Sequence, residues 1–238
     1  MKKLFYVVLL VAMAILVYYY TPHAPHEIAN WYHAAALEAH LAGNSDAAMN
    51  FLEQGVAWSP EQPDLYATRS EIYQRMGRHK DAIREQDRIV EICRASPSLS
   101  LGRALNGRAY CRALGEIELN EGLEDVQQAI EFEGGESAFY LDTRGYLYYL
   151  LGDLDLAERD LVRAKDLAEE MYHIGLIEIE QTTYAGLREK QRTQYDHFLA
   201  VIYHHLGLLY QRQDRTELAD RYLSRGDELG YDPERGVW

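Results

Sequence analysis

The sequence predicts an all-α chain, and three observations carry that expectation. Only six of 238 residues are proline, so little interrupts helix formation. Long stretches are rich in Ala, Leu, Glu and Arg, which lose little side-chain freedom in a helix. Gly and Ala recur at helical spacing where two helices would have to touch, most cleanly between Ala138 and Met171. With 47% hydrophobic residues, the chain has enough apolar side chain for a sizeable core.

Taken in order, Lys2 and Lys3 precede an uncharged run from Leu4 to Tyr20. As a helix this run spans about 26 Å, slightly short of a ~30 Å hydrocarbon core unless Tyr18, Tyr19 and Tyr20 reach the interface. Pro22 and Pro25 then end it, and residues 21–28 read as a linker. A cleaved signal peptide wants a small-residue site after the apolar run, and YYYTPHAPH is a poor one. A lipoprotein wants a Cys there, and none is present. A buried core helix would carry a polar stripe. The best reading is an uncleaved transmembrane signal anchor over residues 4–20. Both early lysines lie before the span and no Lys or Arg follows it until Arg69. Residues 1–3 are therefore expected in the cytoplasm and the rest outside it, in the periplasm if the cell is bacterial.

Charge narrows the partners. The 24 Lys and Arg face 38 Asp and Glu, a net charge of −14. A nucleic-acid backbone would be repelled by that field. An anionic lipid surface would be too.

The stretch Ala138–Met171 reads as two amphipathic helices around a Gly-Asp turn. Gly145, Tyr148, Gly152, Ala157, Leu161 and Ala164 fall at positions 8, 11, 15, 20, 24 and 27 of a unit of about 34 residues. That pattern resembles the tetratricopeptide repeat. In phase with it, 29–62 carries Ala36, Gly43, Ala48, Leu52 and Gly55, with Pro60 as a stop. The unit 63–96 carries Ser70, Tyr73, Gly77 and Ala82, but departs at Gln86 and Ile89, where a less regular second helix is expected. In 100–136, Gly107 and Tyr110 fit positions 8 and 11, and Gly122, Val126 and Ala129 fit the second helix if the hairpin holds about three extra residues. The unit 200–233 carries Gly207, Tyr210, Ala219, Leu223 and Gly226, with Asp214 at the turn. Between them, 172–199 reads as an extension of one helix, a connection near Thr182 to Gly186, and an early start of the next. The tail is expected to cap the last pair with Val237 and Trp238. The resemblance thus implies a right-handed α-α superhelix of about five helix pairs after one transmembrane helix.

Motifs that carry chemistry are missing. Cys93 and Cys111 have no metal-ligand or CxxC spacing and read as two free, partly buried thiols. His33 and His40 share a helix face, His23 and His26 flank the linker, and His204 and His205 are adjacent. No HExxH, GxSxG, P-loop or GxGxxG occurs. No catalytic, cofactor-binding or metal-binding residue is assigned, and the expectation is a non-enzyme.

In the tetratricopeptide family the first helix of each pair lines an inner groove, through positions 2, 5, 9, 12 and 13. The third unit then offers Leu101, Ala104, Arg108, Cys111 and Arg112, and the fourth Phe139, Asp142, Tyr146, Tyr149 and Leu150. The Lys and Asn set with which some members clamp a chaperone C-terminus is missing, because His33 and Leu37 stand in its place. Arg75, Arg108, Arg112 and Arg212, beside Tyr146 and Tyr149, form the expected partner-binding groove for an acidic or carboxylate-ended peptide. The competing reading makes these arginines solvated helix-end cations. The function expected is a membrane-anchored scaffold or adaptor for a protein or peptide, in an envelope assembly or secretion context. Two alternatives stay open: an enzyme or metal protein using the histidines and carboxylates, and a self-associating structural subunit.

Overall fold

The computed structural model describes residues 24–181 and 185–232. These form ten helices and no strand: α1 (Ala24–Leu41), α2 (Ser45–Trp58), α3 (Pro63–Arg75), α4 (His79–Ala95), α5 (Leu101–Gly115), α6 (Leu119–Glu133), α7 (Ala138–Leu151), α8 (Leu154–Gln181), α9 (Ala185–Arg212) and α10 (Thr216–Glu228). Consecutive helices pair as hairpins, and each pair stacks on the next. The residues expected to cross a membrane, 4–20, lie outside the described part. Among the described residues no helix is long and apolar enough to cross one.

Residues 24–28, expected as linker, belong to α1. Pro25 lies in the first turn of this helix. In the first turn its fixed φ fits and its missing N–H has no partner to lose, while Glu27 faces the positive end of the helix dipole.

Local chemistry sets the hairpins. Asn44 caps α2 by accepting from the Ala47 N–H at 3.1 Å, and Ser100 caps α5 by accepting from Arg103 at 3.1 Å. Four hairpins turn through one left-handed residue, Gly43, Gly77, Gly152 or Asp214, and the third turns through two, Glu116 and Glu118. Small residues then let the paired helices close. A Cβ on Gly145 would come within 2.7 Å of Leu161 Cγ and 3.1 Å of the Leu161 backbone nitrogen, and one on Gly207 within 2.5 Å of Leu223 Cγ. The core runs along the stack, through Ala36, Ala48 and Leu52, then Leu105, Ala109 and Val126, then Leu161, Ala164 and Leu206.

The third pair corrects the sequence register. The left-handed residue at its turn is Glu116, φ 50°, which takes the place of Gly152 in the fourth. Counting back from it puts Ala109, fully buried, at position 8, where Gly107 was expected. Gly107 lies two residues earlier and faces the Gln86 carboxamide of the preceding pair. The hairpin is not lengthened by three residues. Its turn, 116–118, holds one residue more than 152–153. Ion pairs confirm the shift. Arg69 binds Glu85 at 3.0 and 2.5 Å, and Arg144 grips Asp160 at 2.6 and 3.2 Å, each from position 7 of the first helix to the second. Arg108 makes the same contact with Asp125, at 2.8 and 2.7 Å.

The second pair packs more regularly than expected. Gln86 donates to Ser70 Oγ at 3.2 Å, so a polar pair replaces the usual apolar contact, and Gly107 leaves room for it. Ile89 is buried. Farther on, α8 and α9 have 28 residues each, a length of about 42 Å. Gly175 lets them approach, since a Cβ there would meet the Tyr195 ring at 2.6 Å, and Tyr172 donates to Asp196 at 2.8 Å. Val237 and Trp238, expected to cap the last pair, lie outside the described residues.

Candidate functional site

The first helices of the five pairs share one face. A cleft of about 890 Å³ lies along it, touching Leu41 of α1, Arg75 of α3, Arg103 of α5, Phe139 of α7 and Tyr195 of α9. Beside it, α5, α7 and α9 bring aromatic and charged side chains together.

At the centre is a buried pair. His205 on α9 donates from Nδ1 to Asp142 on α7 at 2.8 Å, and both side chains are almost fully covered. The Tyr146 ring stacks on His205, with centroids 4.1 Å apart and planes 8° off parallel. Tyr149, one helical turn on, stacks loosely against Tyr146 at 5.9 Å. Arg212 lies over the Tyr149 ring at 5.3 Å and donates to the Tyr149 carbonyl at 2.7 Å. The chain therefore uses a buried hydrogen bond, a π-stack and a cation–π contact to lock α7 to α9.

These groups tune one another. Burial pushes the Tyr146 phenol up to about 12, with Tyr231 and Tyr149 adding to it. Tyr110 on α5, buried, is raised by burial and then by Asp142. His204 is pulled down to about 4 by burial and by His205 beside it. At neutral pH the cluster therefore holds protonated phenols and a neutral His204.

The six expected groove residues divide. Tyr146, Tyr149 and Arg212 come together as described. Arg75 lines the cleft and pairs with Glu71 at 3.2 Å. Arg108 and Arg112 do not face the groove, because the third pair is shifted by two residues. Arg108 sits between Asp125 and Asp87, the latter at 2.8 Å, and Arg112 is buried against Asp125 with Glu118 at 3.2 Å. Burial would lower the Arg108 pKa, but its bonds to Asp125 and Asp87 raise it on balance. Neither guanidinium is a solvated helix-end cation. Neither is open to a peptide carboxylate while Asp125 holds it.

The corrected register puts Arg103, Asn106 and Tyr110 on the groove side in their place. Asn106 is buried, and its side-chain oxygen meets no donor among the described residues. Tyr110 was visible in the sequence as a repeat residue but was assigned to helix packing. His205 carried no sequence signal, since only the approach of α7 and α9 gives it Asp142.

The remaining histidines and thiols are dispersed. His33 meets Thr68 at 2.8 Å, and His26 meets Ser59 at 2.9 Å. Among the described residues no group of three or more His, Cys, Asp or Glu could hold a metal ion. Cys93 and Cys111 are free and buried, deeper than expected. Gln74 donates to the Cys111 sulfur at 2.8 Å, and burial pushes that thiol up to about 12 against the weaker pull of Ser70 and Gln74.

No protein-family model matches the chain, and no curated protein does. Solved structures do. The chain is similar to a crystal structure of MamA protein at 15% identity, with a TM-score of 0.52, over 86% of this chain and 92% of that one. A second MamA structure matches at 15% identity and a TM-score of 0.50, over 82% and 93%. A putative kinesin light chain with nearly identical TPR-like repeats, from Podospora anserina, matches at 17% and 0.50, over 86% and 95%. At such identities the likeness speaks to the fold alone. That fold is the tetratricopeptide-repeat solenoid.

Proposed function

We propose that the chain is a scaffold that binds a segment of another protein along the groove of its third to fifth helix pairs. The observation that carries this is the cleft of about 890 Å³ beside the Tyr146–Tyr149–Arg212 cluster. Tyrosines held by stacking offer contact area at low entropic cost, and Arg212 adds a charge-assisted donor. Because Arg108 and Arg112 are engaged by Asp125, an acidic partner would have to be read by Arg75, Arg103 and Arg212. The apolar run Leu4–Tyr20 supports a membrane anchor, with the repeats held outside the cytoplasm near envelope assembly or secretion machinery. Repeat arrays of this kind work as rigid surfaces without chemistry of their own, which favours a scaffold over an enzyme.

Placing a photo-crosslinking residue at position 149 in native membranes tests this. A discrete partner adduct is expected from position 149 and not from position 128, exposed on α6. Equal labelling from both positions would sink the groove reading.

A further inference from the structure

After α10 the chain turns back on itself. Gly230, φ +79°, ends α10 in a left-handed cap, with its N–H bonded to Asp227 O at 3.0 Å and the Tyr231 N–H to Gly226 O at 3.0 Å. That cap reverses the chain toward α9. The Tyr231 ring then stacks face to face on His204, with centroids 3.9 Å apart and planes 11° off parallel. His204 is a groove position of the fifth pair, next to His205 in the cluster described above. Asp232 follows and lines the same cleft as Arg75 and Arg103, which belong to the second and third pairs. A residue at the end of the array thus reaches the cavity that the early pairs help to form.

We propose that the chain's own Tyr231–Asp232 pair is an intramolecular ligand of the groove, and that an aromatic residue followed by an acidic one is the feature the groove reads. This rests on the groove reading above and gives its partner a chemistry. The ring slot is formed by His204, beside Tyr146 and Tyr110, whose phenols feel Tyr231. The acid faces a cleft that contains two arginines. A partner with the same aromatic-acidic pair must displace the resident segment. A short tether gives that segment an effective concentration of order millimolar, so only a tighter or multivalent partner would succeed.

The probe is a fluorescent peptide of residues 229–238, added to the full chain. Wild type should bind it weakly, because its own segment is seated. Tyr231→Ala should bind it at least about 10-fold more tightly, by removing the internal competitor. Tyr231→Phe keeps the stack and should behave as wild type. Gly230→Val, which disfavours the left-handed cap, should open the groove as Tyr231→Ala does, so the test does not hang on one variant. A peptide with Ala in place of Tyr231 should bind none of the chains. Equal affinity for wild type and Tyr231→Ala, or binding to neither, overturns the proposal. A wild-type dimer that Tyr231→Ala dissociates would also overturn it, by seating the segment in a second copy. If position 149 still crosslinks a partner while the peptide binds no chain, this inference fails and the groove reading stands.

Discussion

The third and fourth helix pairs are built on one plan and reach it with different residues. Both clamp an arginine at position 7 of the first helix to an aspartate on the second, Arg108 to Asp125 and Arg144 to Asp160. Both turn through a left-handed residue seven positions after the contact residue, and the third adds a second one, Glu118. The fourth uses Gly152 for that turn and Gly145 for the close approach. The third uses Glu116 and Ala109, while its Gly107 serves a neighbour's Gln86. The contrast shows that register is set by which side chains meet across the hairpin, and that a glycine marks it only when it lies at the contact.

The sharpest way to separate the two pairs is through their aspartates. Asp125 is buried and shared by Arg108 and Arg112, so Asp125→Ala leaves two arginines without their main partner. A loss of about 3–5 kcal/mol is expected in urea unfolding. Asp160→Ala should cost less, because Arg159 is well exposed and Arg144 also has Gln127 at 2.9 Å. Equal losses would mean that Arg112 adds nothing.

A second test reads the register directly. Gly145→Ala drives a methyl into Leu161 and its backbone, and should cost about 1–3 kcal/mol. Gly107→Ala meets only the flexible end of Gln86, at 3.0 Å, and gains helix propensity of about 1 kcal/mol. It should be near neutral or stabilising. Were Gly107 the true contact glycine, both substitutions would cost alike.

The turns should answer in opposite directions. Glu116→Gly relieves a left-handed non-glycine residue and should stabilise by up to about 1 kcal/mol, with the Arg112–Glu118 contact unchanged. Gly152→Ala should destabilise by a similar amount. Thermal midpoints of the two variants would show it.

A further expected effect concerns acidity. His204 is held neutral down to about pH 4 in the folded chain, whereas the unfolded chain takes up that proton near 6.5. The folded state therefore binds fewer protons across this window. The stability tied to His204 is fully present above about pH 6.5 and is lost as pH falls toward 4. Asp227 opposes the shift, and His205 and burial drive it. His204→Phe, which keeps a ring for Tyr231, should flatten the unfolding midpoint between pH 6.5 and 4.5. An unchanged slope would assign the dependence to His33, also lowered by burial.

Much of this was legible before any coordinates. Repeating Gly, Ala and Tyr at helix-contact spacing marked five hairpins and located four of the five turns at the residue where they occur. The long helices over 172–199 followed from an uninterrupted helical composition. The third pair was misread because Gly107 and Tyr110 mimic the repeat spacing two residues early, and a turn made by Glu116 carries no glycine to contradict them. That slip placed Arg108 and Arg112 in the groove and left out Arg103, Asn106 and Tyr110. The linker was misread because a proline starts a helix as readily as it ends one.

The sequence by itself determined the solenoid, since the period of small and apolar residues dictates which faces must be buried. It also singled out Tyr146, Tyr149 and Arg212, which the structure brings together. Only the tertiary structure decided the chemistry of the groove. Whether an arginine is open or held depends on carboxylates 17 or 21 residues away, as with Arg108, Asp125 and Asp87. Whether a histidine is a lone side chain or half of a buried pair depends on a helix 63 residues distant, as with His205 and Asp142. Such pairings are set by distance in space, which the order of residues along one helix does not contain.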